Sequence, residues 1–186
     1  EGSEALFFEN ETDFPRLIMN PTNDGSFMFT GEAEIEGNLT REAFMKQVLP
    51  VIMEFTELMD KIQVEAEDRR ILETFVYQAM DDYANEYVDA VDRYYRAFDS
   101  RARSAEGVQM IAKQMLKPLS SFEDFLKTSH AATSLPLDVD KSRFLQPMKS
   151  VLEKYEPFNR IMTESAGSFP ELEKYRAILD QLVESL

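Results

Sequence analysis

The chain has 186 residues, of which 44% are hydrophobic, and it carries a formal net charge of −15. Its length suits one domain, or one domain with an extension, and its apolar content is well above that of disordered chains. Since an acidic surface repels phosphate, we expect neither nucleic acid nor an anionic membrane face as a partner. The absence of cysteine excludes disulfides, thiol nucleophiles and cysteine-ligated metals.

The net negative charge comes entirely from the first half of the chain. Residues 1–100 contain 23 acidic and 8 basic side chains, whereas residues 101–186 contain 12 of each. We interpret the acidic half as a solvated face. No apolar run approaches the ~18 residues that a membrane-spanning helix needs, so we expect no membrane span within the chain. No signal peptide is visible, and the start at Glu1 is typical of a fragment of a larger protein.

Residues 1–38 differ from the rest because they are rich in proline and glycine. The stretch Asn20–Gly25 is dense in turn residues, and the alternation of Phe27 and Phe29 with smaller or polar side chains favours a strand. We therefore expect an extended N-terminal arm with short strands, for which a hairpin across the Asn20–Gly25 turn is one arrangement. A helical domain should occupy residues 39–186.

The first helix of this domain should begin at Thr40, a favourable N-cap residue, and its apolar positions continue at helical spacing to Ile62. Pro50 interrupts this pattern. Because proline lacks the backbone N–H and clashes with the preceding turn, we expect a kink or a break near Leu49.

A long helix from about residue 65 to residue 98 is the feature around which the chain is organised. This stretch has no proline or glycine, and it would span on the order of 45–50 Å. Its apolar residues recur in steps of three and four, which predicts one apolar and aromatic face. They are Ile71, Leu72, Phe75, Val76, Ala79, Met80, Tyr83, Tyr87, Val88, Val91, Tyr94, Tyr95 and Phe98. We expect Asp82, Glu86 and Asp89 to face solvent or a basic partner.

Shorter helices should follow, giving an all-α helical bundle built on the long central helix. Ser104 is predicted to cap a helix that Pro118 closes, and Ser120–Glu123 fits a capping box. Pro157 is predicted to stop the next helix. Ser168–Glu171 fits a second capping box at the start of the last amphipathic helix.

The sequence predicts no catalytic, metal or cofactor site. The single histidine, His130, follows Ser129 directly, and adjacent residues on a helix point about 100° apart, so they do not form a nucleophile–base pair. We interpret His130 as a partly exposed residue near a helix end. Lys127 precedes it where a di-metal bundle needs glutamate. Asp138-Val-Asp140 lacks the rest of a calcium loop, and no glycine-rich phosphate loop occurs.

Three segments show an ordered pattern. Leu39–Phe44 presents Thr-Arg followed by an aromatic residue and leads into Leu49-Pro50. Asp81-Asp-Tyr83 is followed by Glu86-Tyr87, which gives two aromatic residues one helical turn apart. Leu116–Leu126 reads LKPLSSFEDFL and ends at Thr133-Ser-Leu135.

In these segments the chain from Leu39 to about Leu137 resembles the periplasmic helical region of the IcmF/TssM family, inner-membrane proteins of bacterial type VI secretion. Tyr87 stands where that family usually has tryptophan, and Ser121-Phe122 stands for its Pro-Leu. The family-motif residues, to which we assign structural roles, are Thr40, Arg41, Phe44, Tyr83, Tyr87, Leu116, Ser120, Phe122, Leu126, Thr133 and Leu135.

The resemblance implies a non-catalytic scaffold segment, the periplasmic part of an inner-membrane protein, without a cofactor. It implies an outer-membrane lipoprotein and an inner-membrane subunit as partners, with self-association as a further option. Two alternatives stay open: a soluble helical adaptor unrelated to secretion, and an enzyme acting on a small molecule through His130.

Overall fold

The fold was determined as a computed structural model. It describes residues 6–8, 14–19, 33–96, 98, 102–118, 120–165 and 167–186. The fold is all-α, as predicted, with one long helix and little strand. Within the described residues, no helix combines the length and the apolar character needed to span a membrane.

In the described residues of the N-terminal arm, β1 (Leu17–Met19) pairs with β2 (Ala33–Ile35) in a short two-stranded sheet. The predicted Asn20–Gly25 turn and the predicted strand around Phe27 and Phe29 lie outside the described residues. A 3₁₀ turn at Gly37–Leu39 then leads into the first helix.

The first helix begins as predicted, with Thr40 as its N-cap. The Thr40 hydroxyl accepts a 3.3 Å hydrogen bond from the backbone N–H of Ala43. Helix α1 (Arg41–Ala43) continues through a π-helical segment, Phe44–Val48, into α2 (Leu49–Lys61). The irregularity expected near Leu49 is therefore a widened turn just before Pro50, and the helix is not broken there.

The long helix, α3, spans Ala66–Arg96. Val76, Met80, Tyr83 and Tyr87 are buried, which confirms the predicted apolar face in the middle of the helix.

The prediction is wrong for the first turns of α3. The exposed fractions of Ile71, Leu72 and Phe75 are 57%, 40% and 52%. At about 100° per residue, Ile71 and Phe75 lie on the order of 100° or more around the helix from the line through Met80 and Tyr87. Spacings of three and four drift around a helix this long, so they do not keep all apolar residues on one face.

Four helices complete the chain. They are α4 (Ala105–Met115), α5 (Ser121–Thr133), α6 (Pro147–Ile161) and α7 (Pro170–Ser185). The predicted N-caps Ser104 and Ser120 are confirmed, because Ser104 Oγ accepts from the N–H of Gly107 at 3.1 Å and Ser120 Oγ from that of Glu123 at 3.2 Å. The reciprocal bond of the Glu123 side chain in the predicted capping box stays a prediction. Two 3₁₀ turns, Val139–Lys141 and Arg143–Leu145, precede α6.

Two predictions about helix ends are wrong. Pro157 lies inside α6, which continues to Ile161. Both Pro157 and Glu153 are exposed, so the Glu153 carbonyl that loses its helical donor is free to bind water. Ser168 does not cap α7: its hydroxyl donates to the carbonyl of Ser165 at 3.1 Å, and Phe169 occupies the N-cap position without a side-chain bond.

The chain forms two compact units. The first unit takes Glu1–Leu17, Ile35–Val91 and Leu135–Lys154, and its largest buried side chains include Phe44, Tyr83, Tyr87 and Phe144. The second unit takes Ile18–Glu34, Asp92–Ser134 and Tyr155–Leu186, and Tyr94, Phe125 and Tyr155 are buried in it. The sequence-based boundary at residue 38 stays a prediction.

Candidate functional site

Tyr83 is the centre of an aromatic cluster in the first unit, and three family-motif residues belong to this cluster. The Tyr83 ring lies 6.1 Å from that of Phe44 in a stacked arrangement and 6.2 Å from that of Tyr87. Phe7 meets it edge-on at 5.9 Å. The Tyr83 hydroxyl donates a 3.0 Å hydrogen bond to the backbone carbonyl of Asn38. Burial raises the pKa of Tyr83 well above its usual range, so this phenol stays protonated and acts as a structural group.

The helix entry next to this cluster contains the motif residues Thr40 and Arg41. The Thr40 hydroxyl donates to the carbonyl of Gly37 at 2.7 Å and accepts from Ala43, so it fixes both sides of the turn. Arg41 is half-buried. Thus Thr40, Phe44, Tyr83 and Tyr87 are brought together by packing and capping.

The second set of motif residues lies mostly along α5. Ser120 caps this helix, Phe122 and Leu126 are buried on its apolar face, and Thr133 is buried at its C-terminal end. Leu116 is half-buried. Leu135 is buried, and it belongs to the first unit.

The apolar face of α5 lines a cavity of about 290 Å³ in the second unit. Six of its eight lining side chains are aromatic, among them Tyr95, Phe122, Phe125, Phe158 and Tyr175. The rings contact one another closely, with 5.1 Å between the centroids of Tyr95 and Phe158. Among the described residues that line this cavity, the polar side-chain groups are the phenols of Tyr95 and Tyr175, so the cavity is suited to bury an apolar group.

His130 lines a second cavity, of about 540 Å³, together with Lys127, Glu164 and other residues. Its Nδ1 atom lies 3.1 Å from the side-chain oxygen of Asn159, and the hydroxyl of Thr133 donates to the same oxygen at 2.8 Å. Asn159 lies 29 residues from His130, and no motif or local spacing predicts this contact. Lys127 pairs with Glu123 at 2.8 Å, so its charge is compensated.

No nucleophile of the described residues is activated by His130. Ser129 is fully buried, and its hydroxyl forms no well-formed hydrogen bond among the described residues. The hydroxyls of Tyr94 and Tyr95 are also buried without a well-formed hydrogen bond in the described part of the chain. Burial raises the pKa of each tyrosine to about 12, and the neighbouring hydroxyl groups of residues 128–133 partly offset that rise.

The acidic residues of α3 are not all solvated, as Asp92 demonstrates. Its carboxylate accepts a 2.9 Å hydrogen bond from the hydroxyl of Tyr155. No group of three or more histidine, aspartate or glutamate side chains in the described ranges has a geometry that could hold a metal ion.

The chain matches no protein-family model, no curated protein and no solved structure.

Proposed function

We propose that the chain is a non-catalytic scaffold segment of an IcmF/TssM-like protein, the periplasmic part of an inner-membrane subunit in a type VI secretion complex. One observation supports the proposal. Nine of the eleven residues that carry the family resemblance are buried, and the remaining two, Arg41 and Leu116, are half-buried. Residues with packing and capping roles are what a structural motif requires, whereas a catalytic motif needs side chains that reach a substrate.

The mechanism of such a segment is mechanical. Helix α3 has 31 residues, so it spans on the order of 45 Å and can hold its ends at a fixed separation. The aromatic cluster around Tyr83 anchors this helix in the first unit. The outer faces of the helices then remain for contacts with other subunits.

Affinity purification of the full-length protein from membranes tests the proposal. We expect it to recover an outer-membrane lipoprotein and an inner-membrane subunit. A neighbourhood of genes for sheath and spike proteins would support the same assignment. Partners without any envelope component would contradict it and would favour a soluble helical adaptor unrelated to secretion.

The enzyme alternative depends on His130 because it is the only histidine of the chain. A His130→Ala protein that supports secretion as well as the wild type would remove this alternative. Loss of secretion with an intact fold and intact partner recovery would instead contradict a purely mechanical role.

A further inference from the structure

The first half of α3 exposes three large apolar side chains within five positions. Their exposed fractions are 57% for Ile71, 40% for Leu72 and 52% for Phe75. Single apolar residues on a surface are common, but adjacent ones that form a patch mark sites of interaction. All three belong to the first unit.

Acidic side chains continue the same face of the helix. We define the outer stripe as Ile71, Leu72, Phe75, Asp82, Glu86 and Asp89. Apart from Leu72, these positions fall within an arc of about 60° at 100° per residue, and the stripe is about 27 Å long. Glu86 and Asp89 are exposed, and Asp82 is half-buried. The stripe therefore has an apolar end and an acidic end.

Two carboxylates of the acidic end, Asp82 and Asp89, carry charges that can meet a partner. Asp82 accepts a 3.0 Å hydrogen bond from Gln78, a neutral side chain. Among the described residues, neither Asp82 nor Asp89 forms an ion pair with a lysine or an arginine. The residues of the first unit include 21 acidic and 10 basic side chains, so the unit that carries the stripe is net acidic.

We propose that the outer stripe binds an amphipathic, basic helix of a protein partner. Apolar side chains of that helix, at positions i, i+3 or i+4, and i+7, would cover Ile71, Leu72 and Phe75. Lysine or arginine side chains about two and about four turns beyond the residue that covers Phe75 would meet Asp82 and Asp89. The proposal rests on the proposed role of the chain as a segment that binds other proteins, and not on which complex contains it.

A second copy of the chain fits this surface poorly. If two stripes paired in parallel, the carboxylates of Asp82 and Asp89 would meet the same carboxylates and repel one another. If they paired antiparallel, these carboxylates would be buried against Ile71 and Phe75 without a partner charge. Charge complementarity therefore selects a basic partner over self-association.

Binding of a synthetic peptide to the 186-residue chain tests the proposal. The probe is a labelled 18-residue helix with leucines at helical spacing in one half and lysines in the other. One control peptide has the same composition with its leucines spread around the helix, and another has glutamate in place of lysine. We expect the probe alone to bind in fluorescence anisotropy, and added salt to weaken binding because charge pairs contribute.

Variants of the stripe make the test specific. Ile71→Ser with Phe75→Ser should weaken binding at least about tenfold, and Asp82→Asn with Asp89→Asn should remove most of the salt dependence. Tyr77→Ser is the matched control, because Tyr77 is 45% exposed on another side of α3, and it should bind as the wild type does. Thermal unfolding followed by circular dichroism verifies that each variant is folded.

Several outcomes would overturn the proposal. Equal binding of the probe and the scrambled peptide would do so, as would a folded Ile71→Ser/Phe75→Ser variant with full affinity. Sedimentation showing dimers that this variant abolishes would assign the patch to a second copy.

The proposal and the scaffold function fail in different ways. If the full-length Ile71→Ser/Phe75→Ser protein recovers all envelope subunits, the stripe is not their binding surface, but the scaffold function stands. If the wild-type protein recovers none while the probe binds specifically, the stripe stands and the secretion assignment falls.

Discussion

The hydroxyl of Tyr83 donates a 3.0 Å hydrogen bond to the backbone carbonyl of Asn38, 45 residues earlier in the chain. This bond ties the middle of α3 to the 3₁₀ turn that precedes Thr40. Tyr94, on the same helix, is as deeply buried, yet its hydroxyl has no well-formed hydrogen bond among the described residues. The two tyrosines thus differ in whether the phenolic hydroxyl has a well-formed hydrogen bond.

Replacing each tyrosine by phenylalanine should therefore have different effects. Tyr83→Phe leaves the Asn38 carbonyl without its donor, and we expect the free energy of unfolding to fall by about 1 kcal/mol. Tyr94→Phe removes a buried hydroxyl that has no well-formed hydrogen bond among the described residues, so the free energy of unfolding should stay the same or rise by up to ~1 kcal/mol. Urea denaturation measures both. Equal losses in the two variants would mean that Tyr94 has a partner such as a buried water.

Tyr87 tests whether the middle of α3 packs as a core. This side chain is fully buried and its ring lies 6.2 Å from that of Tyr83. Tyr87→Ala removes most of a large aromatic ring and leaves a cavity, so we expect a loss of about 2–4 kcal/mol. Tyr77→Ala, at a 45% exposed position of the same helix, should cost less than about 0.5 kcal/mol. A similar effect of both substitutions on urea denaturation would argue against a buried Tyr87.

The buried tyrosines also predict how stability depends on alkaline pH. Burial raises the pKa of Tyr94 and of Tyr95 from the ordinary value of 10.0 to about 12. Above pH 10 the unfolded chain loses these phenolic protons, while the folded chain keeps them until about pH 12. Since the unfolded state then binds fewer protons, stability is fully present below pH 10 and falls as pH rises towards 12.

Urea denaturation at pH 8 and at pH 11 measures this loss of stability. A Tyr94→Phe/Tyr95→Phe variant is the control, because it should show a shallower fall between the two pH values than the wild type. The difference in tyrosinate absorbance between the folded wild type and this variant reports Tyr94 and Tyr95, and it should rise only after pH 10. If all tyrosines of the folded protein titrated together near pH 10, the burial of these phenols would be refuted.

The buried part of α3 could be predicted because packing residues follow local spacing. Tyr83 and Tyr87 lie one turn apart and both face the core, as the pattern indicates. The exposure of Ile71 and Phe75 does not follow from the spacing of three and four alone. It follows once the residues are placed at about 100° per residue, because both then lie on the order of 100° or more around the helix from Met80 and Tyr87. The sequence pattern predicted the N-cap of α5 correctly and that of α7 wrongly. Ser120 has the extended backbone of an N-cap, whereas Ser168 bonds to Ser165 in a tight turn.

The polar contacts that α6 makes with α3 and α5 could not be predicted from the sequence, for another reason. The carboxylate of Asp92 accepts from Tyr155, 63 residues away, and His130 meets Asn159 across 29 residues. Neither pair follows a local spacing or a motif. Such pairs depend on how the helices pack, so they emerge only from the three-dimensional structure.

Glu73 provides the last prediction, because it joins α3 to the 3₁₀ turn before α6 within the first unit. Its side chain is 19% exposed, forms an ion pair with Arg143 and lies 3.9 Å from Arg69. Arg69 itself donates to the carbonyls of Met59 and Ile62 at 2.7 and 2.8 Å. Removing the Glu73 charge therefore affects two basic groups that hold neighbouring segments of this unit.

We expect Glu73→Gln to lower the free energy of unfolding by about 1 kcal/mol, a modest value because Arg143 is 60% exposed and its charge is screened by solvent. Glu57→Gln is the control: its ion pair with Lys61 is exposed on both sides, so the urea midpoint should not move. The loss in Glu73→Gln should shrink at high salt, and a double-mutant cycle with Arg143→Ala should show positive coupling. Additive effects of the two substitutions would mean that this ion pair does not stabilise the fold.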